Sequence, residues 1–530
     1  MVWIRNLCVL PRRINPRRYE TQPANRDLLV LGRRQSTNQD FRLRHLVRGK
    51  KRTQPLVRDM VFSSPEFLFL FLPIFLATYV LGSSFRNATL LGASIIFYFL
   101  GEGYFIGVMA ASVLVTYVTG RGIRSKSTTL RNIALASGIA FNILLLTFYK
   151  YVGFIATDIL GLDESTWLNT IHLPIGISFF TFQSISYLID VSRGQANKTT
   201  SFPDLFMYIA MFPQLIAGPI VRFASISEQI NHRLISLRHV YFGLLFFCTG
   251  LAQKVLVADS AASVADPIFG SDPSTLSALA ALVGVASYSL QIYFDFSGYS
   301  AMAIGLGLLL GFEFPQNFNF PYTATSVTDF WRKWHISLSS WFRDYVYIPL
   351  GGNRCGSQRT YLNLIAVFLL TGVWHGAAWS FVIWGLFHGM FLILERILSR
   401  EKRWSAPKIL SWVYVLGVVG TGWIFFRADD LGHAIAVIQR ITSLTPNGAT
   451  VGSFVSNESL LFVLVGLLFC VPITARLLSR WIAVPIYGAW HQAHQTTQYL
   501  SGSIFGLLLF AAACVKVLAG SYSPFIYFRF

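Results

Sequence analysis

The chain has 530 residues, 54% of them hydrophobic and only 13% charged, with a mean hydropathy of +0.53. That composition excludes a soluble globular domain and describes a polytopic membrane protein. The formal net charge of +19 is uneven, because residues 1–59 hold fifteen Arg or Lys against four acids and leave only +8 for the rest.

That opening stretch has no long apolar run and carries basic pairs at Arg12-Arg13, Arg17-Arg18 and Arg33-Arg34. It cannot bury enough apolar surface to order itself, so a basic disordered extension is expected over 1–59. Residues 1–10 are too short and too poor in apolar residues for a secretory signal. Charge alone allows contact with anionic lipid or nucleic acid. The simpler expectation is that Met60 is the true start, with 1–59 arising from an upstream start codon, and that no nucleic acid is bound.

From Met60 onward, apolar runs of membrane-crossing length recur at 67–119, 131–157, 173–190, 205–221, 239–258, 276–311, 361–395, 409–426, 458–478 and 503–519. Several would hold two short helices or one broken one, which predicts about ten to thirteen membrane helices. Only helices and closed barrels satisfy backbone groups in lipid, and no ten-residue alternating pattern is visible. The expected fold is therefore all-α, one domain over 60–530 whose short and broken helices surround a central cavity.

Cys8, Cys248, Cys355, Cys470 and Cys514 never form a C-x-x-C pair, so neither a zinc site nor a disulfide framework follows. The run GLGLLLG at 305–311 has the wrong glycine spacing for a dinucleotide fingerprint, and close helix packing accounts for it better. No metal and no bound cofactor are expected.

Basic connecting segments set the orientation. Arg121, Arg124, Lys126 and Arg131 mark one cytoplasmic loop, and Arg193 and Lys198 mark another. The stretches 311–360 and 396–408 are also rich in Arg and Lys, so the apolar run between them must enter the membrane and return. Its first arm, 361–373, rises only about 20 Å against a hydrocarbon core of about 30 Å. The turn WHGA then places His375 deep in the membrane.

His335 has a different setting. Phe330, Trp334, Leu338, Trp341 and Tyr345 recur at spacings of three and four, with Lys333, Ser337, Ser340 and Asp344 opposite. The spacing predicts an amphipathic helix over 329–345 lying in the cytoplasmic interface. An imidazole can act as a base near neutral pH. On the local pattern alone, however, His335 also fits a bystander in an aromatic and basic anchor, and His375 a hydrogen-bond donor between packed helices. Asp295, an acid inside an apolar run, is either functional or the partner of a polar neighbour.

The run from Phe314 to Arg354, the WHG motif at 374–376 and PQLIAGPIVRF at 213–223 together resemble the membrane-bound O-acyltransferase family. Within it the similarity is to the membrane subunits that O-acetylate alginate and other bacterial exopolysaccharides. Further matches are MVFSSPEFLFLFLPIFL (60–76), YFDFSGYS (293–300), GWIFFRADDLGHAI (422–435) and SPFIYFRF (523–530), so the resemblance spans essentially all of 60–530. One departure is Ala301, where the family pattern has an acid after GYS, which puts a second carboxylate there in doubt.

The resemblance implies acyl transfer in a bacterial inner membrane with His335 and His375 as the required histidines. A thioester donor such as acetyl-CoA needs a base for the accepting hydroxyl and donors for the developing oxyanion. His375 is the expected base, with His335 orienting the thioester or completing a proton relay. Arg332 and Lys333 would face the donor's phosphates, and Trp331, Trp374 and Asp295 would line the substrate site. The implied partners are membrane lipids, a polymer synthase complex and periplasmic polysaccharide acetyltransferases. An ion-coupled transporter or export scaffold is the rival reading, although no internal repeat is visible.

Overall fold

The computed structural model describes residues 60–162, 168, 171–196, 200–216, 218–400, 406–480, 496–520 and 525. The basic extension 1–59 lies outside them. Among the described residues the chain is helical throughout, and its only β pairing is an isolated bridge between Leu276 and Ala449.

The helices that position the site are α1 (Arg86–Glu102), α2 (Ile106–Ile123), α3 (Thr128–Leu146), α4 (Ile177–Ser192), α5 (Leu237–Ala252), α6 (Asp259–Phe269) and α7 (Ala278–Leu310). They are followed by α8 (Val327–Lys333), α9 (Ile336–Phe342), α10 (Gly356–His375), α11 (Trp379–Arg400), α12 (Lys408–Arg427) and, near the C-terminus, α13 (Thr496–Leu518).

Seven helices among the described residues are long and apolar enough to cross a membrane, or up to eight if the bent pair Asn457–Phe469 and Pro472–Ser479 is one span. The expected number was ten to thirteen. Part of the difference has a local cause: the run 173–190 yields the 16-residue α4, and 205–221 breaks into Phe202–Ala210 and Phe212–Leu215 around prolines. Apolar composition marked these segments as buried, but they are buried by other helices. Phe180, Leu188, Leu205, Met207 and Phe212 have no more than trace exposure.

Helix α7 is the central post. Its 33 residues rise about 50 Å, and 72% of its apolar window is buried inside the protein, so it packs against protein on most sides. Ser277 caps its first turn by accepting from the Ala280 N–H at 3.2 Å, and Gly311 ends it in the left-handed region at φ 81°. Helix α5 lies against it at glycine contacts. A Cβ at Gly250 would stand 2.5 Å from the Gly298 carbonyl oxygen, and one at Gly305 would stand 2.5 Å from that of Gly243. Backbone-to-backbone approach of this kind is how membrane helices gain packing without a hydrophobic driving force, and it accounts for the first glycine of GLGLLLG.

The hairpin of α10 and α11 uses the same device, since side chains at Gly372 or Gly385 would collide with the carbonyls of Phe381 and Phe368. Its first arm is longer than the thirteen residues expected. Helix α10 runs for 20 residues, about 30 Å. The helix contains polar residues that hydropathy discounts but the fold satisfies. Thr360 bonds back to the Gly356 carbonyl at 2.8 Å, and Asn363 donates to the carbonyls of Leu350 and Gly352 at 3.2 and 3.1 Å.

Candidate active site

The amphipathic helix expected over 329–345 is interrupted, and the interruption is at His335. Helix α8 stops at Lys333, Trp334 is extended, and His335 takes a left-handed conformation at φ 42°, ψ 55° before α9 begins at Ile336. A non-glycine residue there costs on the order of 1–2 kcal/mol. The backbone offsets this through a remote strand of chain: the Ile336 N–H donates to the Asn317 carbonyl and the Asn319 N–H to the Lys333 carbonyl, both at 2.9 Å. Periodicity could not reveal this, because the competing partners, Asn317 and Asn319, lie 19 and 14 positions upstream of the residues they bond.

His335 is 1% exposed, enclosed on all sides by protein. Its Nδ1 lies 3.0 Å from the Asn317 side-chain oxygen, which also accepts from the Ser337 N–H at 3.2 Å and the Ser337 hydroxyl at 2.9 Å. Asn317 is itself fully buried and donates through Nδ2 to the Ser300 hydroxyl on α7 at 2.9 Å. The ring stands edge-on to Phe296, with centroids 4.6 Å apart. Its Nε2 is buried without a hydrogen-bond partner.

His375 is the last residue of α10 and 5% exposed. Three aromatic rings meet its imidazole: Trp374 at 4.9 Å, Trp384 at 5.1 Å and Phe426 at 5.2 Å between centroids. The helix end that carries it is tied down from outside. Lys150 donates to the carbonyls of Trp374 and His375 at 2.6 and 3.2 Å, and the Tyr151 hydroxyl donates to that of Val373 at 3.0 Å. The last carbonyls of a helix have no partner within it. Here two consecutive residues of a π-helical turn following α3 satisfy three of them.

Trp374 joins the two histidines. Its ring centroid is 6.3 Å from that of His335 and 4.9 Å from that of His375. Behind it an aromatic ladder continues, with Phe182 at 5.3 Å from Trp374 and Trp341 stacked on Phe182 at 3.8 Å. The ladder ends at Tyr345, flanked by the guanidinium groups of Arg193 and Arg222 at 5.4 and 5.3 Å. The motif at 213–223 closes this side, as the Ile220 N–H donates to Ser337 at 3.0 Å and Arg222 pairs with Asp344 at 2.7 Å.

The other residues expected at the site separate. Trp331 is buried against Trp384 and His388, at 5.6 and 5.0 Å between centroids. Arg332 is exposed, whereas Lys333 is held by Asp329 one turn back at 2.8 Å. Asp295 follows the second of its two readings, as the partner of a polar neighbour. Lys254, in the π-helical stretch that continues α5, reaches it at 3.0 Å and Asp259 of α6 at 2.6 Å, all three side chains being nearly sealed from solvent. Two carboxylates around one ammonium lock α5, α6 and α7 together.

Asn317, Ser337, Lys150 and His388 were not anticipated. Lys150 left a signal: it is a cation inside the apolar run 131–157, where a charge is costly enough to imply a function. Asn317 left none, since a single amide in QNFN has no periodicity. Among the described residues no group of three or more His, Cys, Asp or Glu is placed to hold a metal.

The model of the membrane-bound O-acyltransferase family matches residues 109–426, which include both histidines and the helices that hold them. A probable alginate O-acetylase of Azotobacter vinelandii is 40% identical over 508 residues, covering 89% of this chain and all of that protein. The peptidoglycan O-acetyltransferase of Helicobacter pylori is 38% identical over 73% of this chain and 80% of its own length. The teichoic acid D-alanyltransferase of Bacillus subtilis is 26% identical over 49% of this chain. The chain belongs to the membrane-bound O-acyltransferase family and is a multi-pass membrane acyltransferase.

Proposed function

We propose that the protein transfers an acetyl group from a cytoplasmic thioester, of the acetyl-CoA kind, for O-acetylation of an exopolysaccharide such as alginate. The observation that carries this reading is the placement of two buried histidines against one indole, Trp374, with the Nε2 of His335 left without a partner. In the reaction an imidazole takes the proton of the accepting hydroxyl as its oxygen bonds to the thioester carbonyl carbon. The carbon–sulfur bond then breaks, and the proton passes to the departing thiolate. His375 is assigned as the base and His335 as the group that relays the proton or orients the thioester.

The same reading places the protein in a bacterial inner membrane, with the Arg-rich end of the aromatic ladder toward the cytoplasm and a passage past His335 to His375 toward the periplasm. Donor and acceptor would then meet without acetyl-CoA crossing the bilayer. A polymer synthase complex and periplasmic acetyltransferases are the corresponding partners, with Arg332 and Lys333 near the donor's phosphates. The test is the acetyl content of the secreted polymer in His335→Ala and His375→Ala strains. Loss of acetylation at normal expression is expected in both. Intact acetylation with reduced polymer export would instead support a transport role.

A further inference from the structure

We propose that Asn317 is a positioning residue that locks His335 in the tautomer with its hydrogen on Nδ1, so that the buried, unpartnered Nε2 presents a lone pair to the reacting groups. This rests on His335 taking part in transfer, as proposed above, and adds how its chemistry is set.

The argument is one of donors and acceptors. A backbone N–H can only donate, so the Ser337 N–H 3.2 Å from the Asn317 side chain identifies the atom it meets as the amide oxygen. The amide nitrogen on the other side donates to Ser300 at 2.9 Å, which suits the same orientation. The atom 3.0 Å from His335 Nδ1 is therefore an acceptor, and the Ser337 hydroxyl, 3.5 Å from the same nitrogen, spends its one hydrogen on that amide oxygen at 2.9 Å, so Nδ1 carries the hydrogen. In a neutral imidazole the lone pair is then on Nε2. That atom has no hydrogen-bond partner although it is fully enclosed.

A buried polar atom without a partner is costly to keep in a fold. Asn317 has the opposite character, since every polar atom of its side chain is engaged, and its own carbonyl accepts from the Ile336 N–H at 2.9 Å. One residue thus holds the backbone immediately after His335, supports the unusual conformation of the histidine, and selects the ring nitrogen that stays basic. A packing role would need only the first of these.

The experiment compares Asn317→Leu, Asn317→Asp and His335→Gln in membranes and in purified full-length protein. It measures acetyl transfer from acetyl-CoA and the 15N spectrum of histidine-labelled protein, in which the His335 signals are those lost in His335→Gln. The native spectrum should show His335 protonated on Nδ1. Asn317→Leu should lower kcat by about 10- to 1000-fold with little change in KM for the donor, and should mix the two tautomers. Asn317→Asp keeps an acceptor at Nδ1, and the Ser300 hydroxyl can turn to donate to it, so activity should recover to within about tenfold of native.

A native His335 protonated on Nε2 would overturn the proposal, as would an Asn317→Leu protein with native kcat and native tautomer. So would an Asp variant no better than the Leu variant while both are folded. If Asn317→Leu does not fold, the native spectrum and the Asp variant still decide. Full transfer by His335→Gln would instead strike at the participation of His335, whatever the tautomer proves to be.

Discussion

The two histidines of the site are held in opposite ways. His335 is held through its side chain, by one asparagine that bonds its ring and ties the backbone just after it. His375 is held through its backbone, at a helix end whose carbonyls are bound by Lys150 and Tyr151, while its ring rests among aromatic groups. The first arrangement sets the chemical state of the imidazole and the second its position. A relay between donor and acceptor needs both: a ring nitrogen of known basicity at one point, and a ring aimed to within a fraction of an ångström at the other.

The largest effect should come from removing the second ring itself. His375→Ala is expected to lower transfer by about 10²- to 10⁴-fold, the range typical of a general base. Native expression in membrane fractions checks that the fold survives. Activity within a few-fold of native would leave position without a purpose and break the contrast.

Next is the frame beneath His335. Helix α7 supplies Ser300 to Asn317 and is itself locked to α5 by Lys254. Lys254→Met would leave Asp259 and Asp295 buried together, which should cost about 3–5 kcal/mol. Asp295→Asn still leaves Lys254 with Asp259, so it should cost less. Thermal unfolding in detergent measures both, and equal losses would show that the lysine is not the keystone of the three.

The clamp on His375 gives a smaller and more selective effect. Lys150→Met removes the donor from two helix-end carbonyls, and misplacing the ring should reduce kcat by about 10- to 100-fold with the donor KM nearly unchanged. A variant with native kcat would mean that the aromatic rings alone suffice to aim His375.

The mildest test is at the outer end of the segment carrying His335. Burial raises the Asp344 carboxyl, but hydrogen bonds from Arg343 and Arg222 outweigh it and hold its pKa below the ordinary carboxylate value. Its contribution to stability is therefore present above the unfolded pKa of about 3.9 and is lost as pH falls through the lower folded value. Asp344→Asn should cost less than about 1 kcal/mol at neutral pH and should flatten the loss of melting temperature on acidification below about pH 4. A steeper acid loss in the variant would reverse that sign.

The sequence by itself determined what depends on composition and local spacing. Apolar runs named the helices as a class, WHG marked a helix end with a histidine at a turn, and the motif at 213–223 stood out before its contacts with Ser337 and Asp344 were known. Asp295, an acid inside an apolar run, also pointed inward, and it is buried and engaged. Only the tertiary structure decided which of these features met. Hydropathy cannot distinguish a residue buried by lipid from one buried by another helix, so α4 and the short helices after it were counted as spans. Nor can helical periodicity register an acceptor arriving from a distant stretch of chain. The amide of Asn317 broke the predicted helix at His335 because a well-placed remote hydrogen-bond partner outweighs a local propensity worth only tenths of a kcal/mol per residue.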